Sequence, residues 1–230
     1  MPAFFEGSLY FGIFITIFGY VVGVYVYEKW KYALLNPMLI ADIIVVATLL
    51  TFRVEYVDYA RSARFLEMLL TPATVCLAIP LYRQLEALRK NYRAICAGVA
   101  TGVFVNLFAV WFFSRFFGFS HELYVTLLPK SVTSPIGVGM SEELGGIVTI
   151  TVASIVVTGI FGNVVAELVC RLFRITEPVA RGIAIGTSAH AVGTAKAFQL
   201  GEVEGAMSGL AIVLTGLFTV VVVPFFAYLI

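Results

Sequence analysis

Charge is scarce in this sequence. Only 13% of its 230 residues are Asp, Glu, Lys or Arg, about half the share found in an ordinary soluble domain. Cysteine is scarcer still. Cys76, Cys96 and Cys170 are an odd number, stand in apolar stretches and share no metal-ligand spacing, which excludes a disulfide scaffold and a cysteine metal centre. They read as small buried hydrophobes. No HExxH, no cysteine cluster and no phosphate-binding glycine loop occurs, so no metal and no cofactor is expected. No Lys or Arg precedes Lys29; the first apolar run therefore lacks the basic region of a cleavable signal and reads as a retained span. Lys+Arg 15 against Asp+Glu 14 leaves a net charge of +1, which says nothing about partners; it is the apolar, membrane character of the chain that excludes a nucleic-acid binder.

What is abundant is apolar sequence. Hydrophobic residues make up 60% of the chain, and the mean hydropathy is +0.98. The apolar runs are too long for a water-soluble core, which makes this an integral membrane protein. A helix needs about 20 mostly apolar residues to cross the hydrocarbon core. Leu9–Tyr27, Pro37–Phe52, Ala94–Phe117, Leu144–Phe173 and Gly205–Ile230 meet or approach that length. Asn36 as N-cap with Pro37 at the first helical position marks one start. Tyr25, Tyr27, Trp30 and Tyr32 form an interfacial aromatic belt.

Three further apolar segments, Arg64–Tyr82, Leu127–Met140 and Pro178–Phe198, are interrupted by Pro or Gly. Non-helical backbone at membrane depth survives only inside protein or along a cavity, so function is expected there. The expected fold is an all-α polytopic membrane protein with about seven crossings plus one re-entrant segment at 127–140. Residues 1–230 form a single transmembrane domain. An inverted repeat pairs 36–118 with 142–230, leaving 1–35 and 119–141 as an extra span and the re-entrant segment. With the N-terminus outside and the C-terminus cytoplasmic, nine Lys/Arg fall inside and six outside, the sign that the positive-inside rule requires.

Within the broken segments, Thr71 before Pro72 is an N-cap and an N1 proline, and Thr187-Ser188 after Gly186 can begin a second half-helix. Each start leaves free N–H groups and the positive end of a dipole, together a site for a small carboxylate. Hydroxyls of Thr71, Thr74, Ser131, Thr133, Thr187, Ser188 and Thr194 can add hydrogen bonds, with Gly193 beside them. Lys130 or Lys196 can supply positive charge, and His190 can exchange a proton. Ionisable groups at membrane depth are functional by default. The plain readings are a proline kink, hydroxyls bonded back to the preceding turn, a packed histidine and a snorkelling Lys130. Glu142-Glu143 reads as an exposed helix start before Leu144. Gly-x-x-x-Gly at 19/23, 98/102, 182/186 and 205/209 permits close packing. Gly186-Thr-Ser-Ala-His190 resembles a nucleophile elbow without its final Gly; the chain is not expected to be an enzyme.

At Leu128-Pro-Lys-Ser-Val-Thr-Ser-Pro-Ile, at Pro178-Val-Ala-Arg-Gly-Ile-Ala-Ile-Gly-Thr-Ser-Ala-His-Ala-Val-Gly-Thr-Ala-Lys-Ala and through Leu200-Gly-Glu-Val-Glu-Gly, the sequence resembles the LrgB/CidB family. The resemblance continues at Leu70–Tyr82 and Leu35-Asn-Pro-Met. Leu70-Thr71 replaces the family's usual Gly before that pair, and Lys196 stands where Arg is common. The resemblance implies a bacterial cell-membrane protein and two functional pictures. One is an antiholin-like protein that modulates murein hydrolase activity and lysis with a small holin-like LrgA/CidA-type partner. The other is a carrier, similar to the plastid glycolate/glycerate translocator and to systems that move pyruvate. The residues favour a secondary transporter of small monocarboxylates with proton or cation coupling, as a homo-oligomer.

Overall fold

The structure is a computed structural model that describes residues 8, 10–30, 32, 35–69, 72, 75, 76, 79, 82 and 85–230. The regular structure among the described residues is all helical, with no strand among them. They fall into two compact units, residues 1–76 and 77–230. Thr71 and Thr74 lie outside the described residues; Pro72 is helical and exposed.

The first unit holds α1 (Phe11–Trp30), α2 (Pro37–Phe52) and α3 (Tyr56–Glu67). The start of α2 is as expected: Asn36 Oδ1 accepts a hydrogen bond from the Met38 amide at 2.8 Å, with Pro37 following. Gly19 packs against Ala41, and Gly23 lies directly on the Pro37 backbone. Missing side chains thus let α1 and α2 approach closely, the use that a small-xxx-small pair serves between membrane helices. Ser62 Oγ of α3 accepts from the Gly12 amide at 2.8 Å.

The second unit holds α4 (Leu85–Phe117), α5 (His121–Leu127), α6 (Ser134–Glu143), α7 (Val148–Leu172), α8 (Pro178–Leu200) and α9 (Glu202–Ala227). α1, α4, α7 and α9 are long and apolar enough to cross a membrane, and α2 is a shorter apolar helix. Their outward faces carry large apolar side chains, among them Phe108 and Phe116 on α4 and Val157 and Leu168 on α7. A surface this apolar belongs against lipid. Cys76 and Cys96 are exposed and only Cys170 is buried, which corrects the expectation that all three are interior.

α5 and α6 form a hairpin. Neither is long enough to span, and the chain turns through 128–133 with Lys130 N donating to Leu127 O and Val132 N to Pro129 O. The two arms meet at Thr151 of α7, whose hydroxyl lies 2.7 Å from Ser141 Oγ and 3.0 Å from Thr126 O. The hairpin enters from the end where His121 Nδ1 lies 2.7 Å from Ile230 O and where the Tyr124 hydroxyl donates to Phe226 O. Glu142 and Glu143 are exposed, as expected, but they close α6 instead of starting the next helix.

α8 is the main correction. The sequence reading has 178–198 cross the membrane, with a half-helix starting at Thr187. Instead the helical backbone breaks three residues later, at His190 (φ 41°, ψ −138°), and the chain folds back on itself. In a straight helix, residues eight apart are about 12 Å apart along the axis. Here a Cβ on Gly193 would sit 3.2 Å from the carbonyl oxygen of Ile185. Neighbours confirm the reversal. Gly182 and Gly186 pack on Glu204 and Ser208 of α9, and on the return Thr194 meets Ser208 and Phe198 meets Gly205. α8 is therefore a second hairpin, entering from the end opposite to the first. It brings Lys196 back to the end that carries Arg171, Arg174 and Arg181.

Candidate functional site

Both hairpin tips reach about half the depth of a bilayer core. Lys130 contacts Asn106 of α4, eleven residues before Phe117, or about 16 Å along the helix. Ala189 packs on Gly162 of α7, ten residues before Leu172, or about 15 Å. A cavity of about 670 Å³ reaches from the two tips along α4 and α7 to Cys170 and Ile175, a volume within the range of small-molecule sites. Its polar lining comes from Thr101 and Asn106 of α4, Lys130 and Ser131 of the first hairpin, Thr158 of α7, and Thr187 and Ser188 of the second hairpin; the rest is largely apolar.

Lys130 is the one charged residue on that lining among the described residues. Its ammonium donates to Asn106 Oδ1 at 2.5 Å and to Ser131 Oγ at 3.3 Å, and Ser131 Oγ donates to the same Asn106 oxygen at 3.2 Å. No carboxylate pairs with Lys130 among the described residues. A lysine held by neutral groups at mid-depth keeps an unmatched charge, which an anion can satisfy. α6 adds to this because it begins at the same tip, with Thr133 at its N-cap position and Pro135 in its first turn. The positive end of its dipole therefore lies beside the lysine. Thr133 makes no side-chain cap bond.

Thr187 and Ser188 occupy a different place in the dipole pattern from the one expected. They stand in the last turn before the break at His190, where a helix presents carbonyls and a partial negative charge. The anion-attracting elements are thus Lys130 and the start of α6, and Thr187-Ser188 contribute hydroxyls. Ser188 Oγ donates back to Ala184 O at 2.7 Å. Thr187 Oγ1 is buried with no hydrogen-bond partner among the described residues, and its methyl fills the space left by Gly102.

His190, Gly193, Thr194 and Lys196 do not line the cavity; they hold the second hairpin. His190 is 4% exposed, and its Nε2 lies 2.9 Å from Ile155 O. A carbonyl only accepts, so Nε2 carries the proton. The ring lies over Gly159, where a Cβ would come 2.6 Å from His190 Cε1. Thr194 Oγ1 donates to His190 O at 3.0 Å and lies 2.7 Å from Ser208 Oγ. Asn163 Nδ2 donates to Val192 O at 2.7 Å. Lys196 pairs with Glu167 at 3.1 Å, and Glu167 also meets Arg171 at 3.1 Å. Ser188 and His190 share no hydrogen bond and each is bonded elsewhere, which removes the geometric basis for a nucleophile elbow.

Three residues of the polar lining, Thr101, Asn106 and Thr158, escaped the sequence reading, as did Glu167, which pairs with Lys196 away from the cavity. Asn106 orients Lys130, and its signal was a lone amide in the middle of an apolar run. Glu167 was the partner for Lys196, visible as a carboxylate within a span.

The LrgB-like family model matches residues 16–229. The chain is 37% identical over 212 residues to the holin-like protein CidB of Staphylococcus epidermidis (strain ATCC 35984), covering 92% of this chain and 93% of that protein. It is 35% identical over the same length and coverage to the holin-like protein CidB of Staphylococcus aureus (strain Mu50). No solved structure matches it. With the family model and full-length relatives in agreement, the chain belongs to the LrgB-like family.

Proposed function

We propose that the protein is a secondary carrier of small monocarboxylates, such as pyruvate-, glycolate- or glycerate-like acids, bound at Lys130 between the two hairpin tips. The observation that carries this reading is a mid-depth cavity whose single charged lining residue lacks a carboxylate partner among the described residues. The carboxylate would lie against Lys130 and Ser131. The 2-oxo or 2-hydroxy group would meet the hydroxyl of Ser188, which is exposed on the same lining. His190 then acts as a positioning residue for the hairpin, and any coupled proton or cation travels elsewhere.

Support for an inverted plan comes from α4 followed by one hairpin and α7 followed by another, the two pairs running in opposite directions. This pairing differs from the 36–118 and 142–230 pairing read from hydropathy. Arg89, Lys90, Arg93, Arg171, Arg174, Arg181 and Lys196 gather at one end of the second unit, with Arg115 at the other. The positive-inside rule puts the first end in the cytoplasm. With α8 turning back, the C-terminus then lies outside, which reverses the orientation that a crossing 178–198 would give.

Purified protein in liposomes should take up labelled pyruvate or glycolate. Lys130→Gln should lower kcat/KM about tenfold or more, the loss of one charge-assisted contact, while the unfolding midpoint stays level or rises because an unmatched charge is removed. Uptake no better than empty liposomes across such acids, or indifferent to Lys130→Gln, would overturn the proposal.

A second reading is favoured by the name of the relatives, holin-like protein CidB. In it the chain is an antiholin-like subunit that modulates murein hydrolase activity and lysis with a small holin-like LrgA/CidA-type membrane partner. A stable complex of fixed stoichiometry, with lysis phenotypes that survive Lys130→Gln, would favour this reading over transport.

A further inference from the structure

A second cavity, of about 400 Å³, opens where α7 ends and α8 begins. It is lined by Glu167, Cys170, Arg171, Arg174, Thr176, Arg181 and Leu200. Three guanidinium groups and one carboxylate share this space, and the carboxylate is already taken: Glu167 pairs with Arg171 and, from the side, with Lys196. Arg174 and Arg181 have no carboxylate partner among the described residues. Arg181 is nonetheless fixed, because its Nε donates to Ile175 O at 2.6 Å, which leaves the two terminal nitrogens of its fork free. The backbone turn that places Arg174 is equally defined. Its amide donates to Arg171 O and the Ile175 amide to Cys170 O, the pair of bonds that closes a helix with a left-handed residue. This cavity is separate from Lys130, though Cys170 lines both.

We propose that this basic cavity is an oxyanion site for a phosphate group, held between the Arg174 and Arg181 forks, with Glu167 clamped by Lys196 and Arg171 so that it does not neutralise them. Arginine forks match tetrahedral oxyanions by paired N–H contacts. Two sources supply such a group at the membrane surface. One is the headgroup of an anionic phospholipid, whose chains would lie along the exposed Leu168, Leu172 and Phe173 beside the cavity. The other is free phosphate from the aqueous side. The site stands independently of the carrier reading.

The test uses the purified full chain in detergent, with inorganic phosphate titrated at constant ionic strength and thermal unfolding as readout. In parallel, native mass spectrometry follows retained phosphatidylglycerol. The proposal expects a phosphate-dependent rise in midpoint, or bound phosphatidylglycerol, or both, and the readout tells the sources apart. The R174Q/R181Q double variant should weaken apparent affinity about tenfold or more, whereas Lys130→Gln should leave it unchanged. If the Gln variant fails to fold, R174K/R181K keeps the charge without the fork and should show a smaller loss. No phosphate effect and no retained lipid would overturn the proposal. So would binding that survives the double variant, or binding lost in Lys130→Gln.

Discussion

The two hairpins of the second unit reverse the chain at similar depth by different means. The first spreads its turn over 128–133, with Pro129 inside it, Pro135 just after it and two turn hydrogen bonds between backbone groups. Polar side chains at its tip find partners within the turn and on α4. The second reverses at one residue, His190, in the left-handed region that side chains other than glycine's rarely occupy. It has no room for a loop because its arms are pressed between α7 and α9, where Gly159, Gly162, Gly182 and Gly186 give way to it. A wide turn tolerates variation and can carry ligand chemistry. A one-residue turn depends on its surroundings, and those surroundings should be the fragile part.

The largest expected contrast is between glycines. Gly186→Ala places a methyl on the Ser208 carbonyl of α9, a backbone obstacle that cannot rotate away. It should destabilise by about 1–3 kcal/mol, read as a lower unfolding midpoint and reduced uptake. Gly139→Ala in the first hairpin meets nothing within 4 Å and should stay within about 0.5 kcal/mol of the parent. Equal effects of the two substitutions would erase the distinction between the hairpins.

A smaller effect separates two substitutions at the second tip. His190→Ala keeps the left-handed backbone and loses the Nε2 hydrogen bond to Ile155 O, at a cost of about 2 kcal/mol. His190→Gly loses the same bond but accepts the backbone freely, so it should be about 1 kcal/mol less harmful. The reverse order in thermal unfolding would contradict a strained turn at 190.

How much of this was legible in the sequence follows from the same comparison. The first hairpin announced itself, since Pro129, Lys130, Ser131, Thr133 and Pro135 have no place in a lipid-facing span, and the re-entrant reading of 127–140 agrees with its geometry. The helix start at Asn36-Pro37 and the packing of Gly19 and Gly23 were equally readable, because they are local. The reversal at His190 left no local mark: no proline, no glycine at the turn itself, and a helix former on either side. Its trace is the spacing of glycines on three different helices, which becomes a pattern only once those helices are side by side. The same holds for Asn106 and Lys130, which lie 24 residues apart in sequence and meet only through the fold. The dipole argument at Thr187 failed for a related reason. Placing the break three residues early exchanged an amide end for a carbonyl end.

The smallest effect belongs to the pair that ties the returning arm to α7. Glu167 is 48% exposed and Lys196 15%, so Glu167→Gln or Lys196→Gln should each cost under about 1 kcal/mol. That loss should shrink further as salt is raised. A loss of several kcal/mol in either variant would show that this pair, and not the glycine packing, holds the hairpin.

The central claim is that residues 178–200 enter and return at the same end. In a chain stripped of Cys76, Cys96 and Cys170, single cysteines at Thr176→Cys, Glu202→Cys and Glu143→Cys can be labelled with a membrane-impermeant thiol reagent in vesicles of known orientation. The account predicts that positions 176 and 202 label from the same face and 143 from the other. Labelling of 176 and 202 from opposite faces would mean that the segment crosses, and would contradict it.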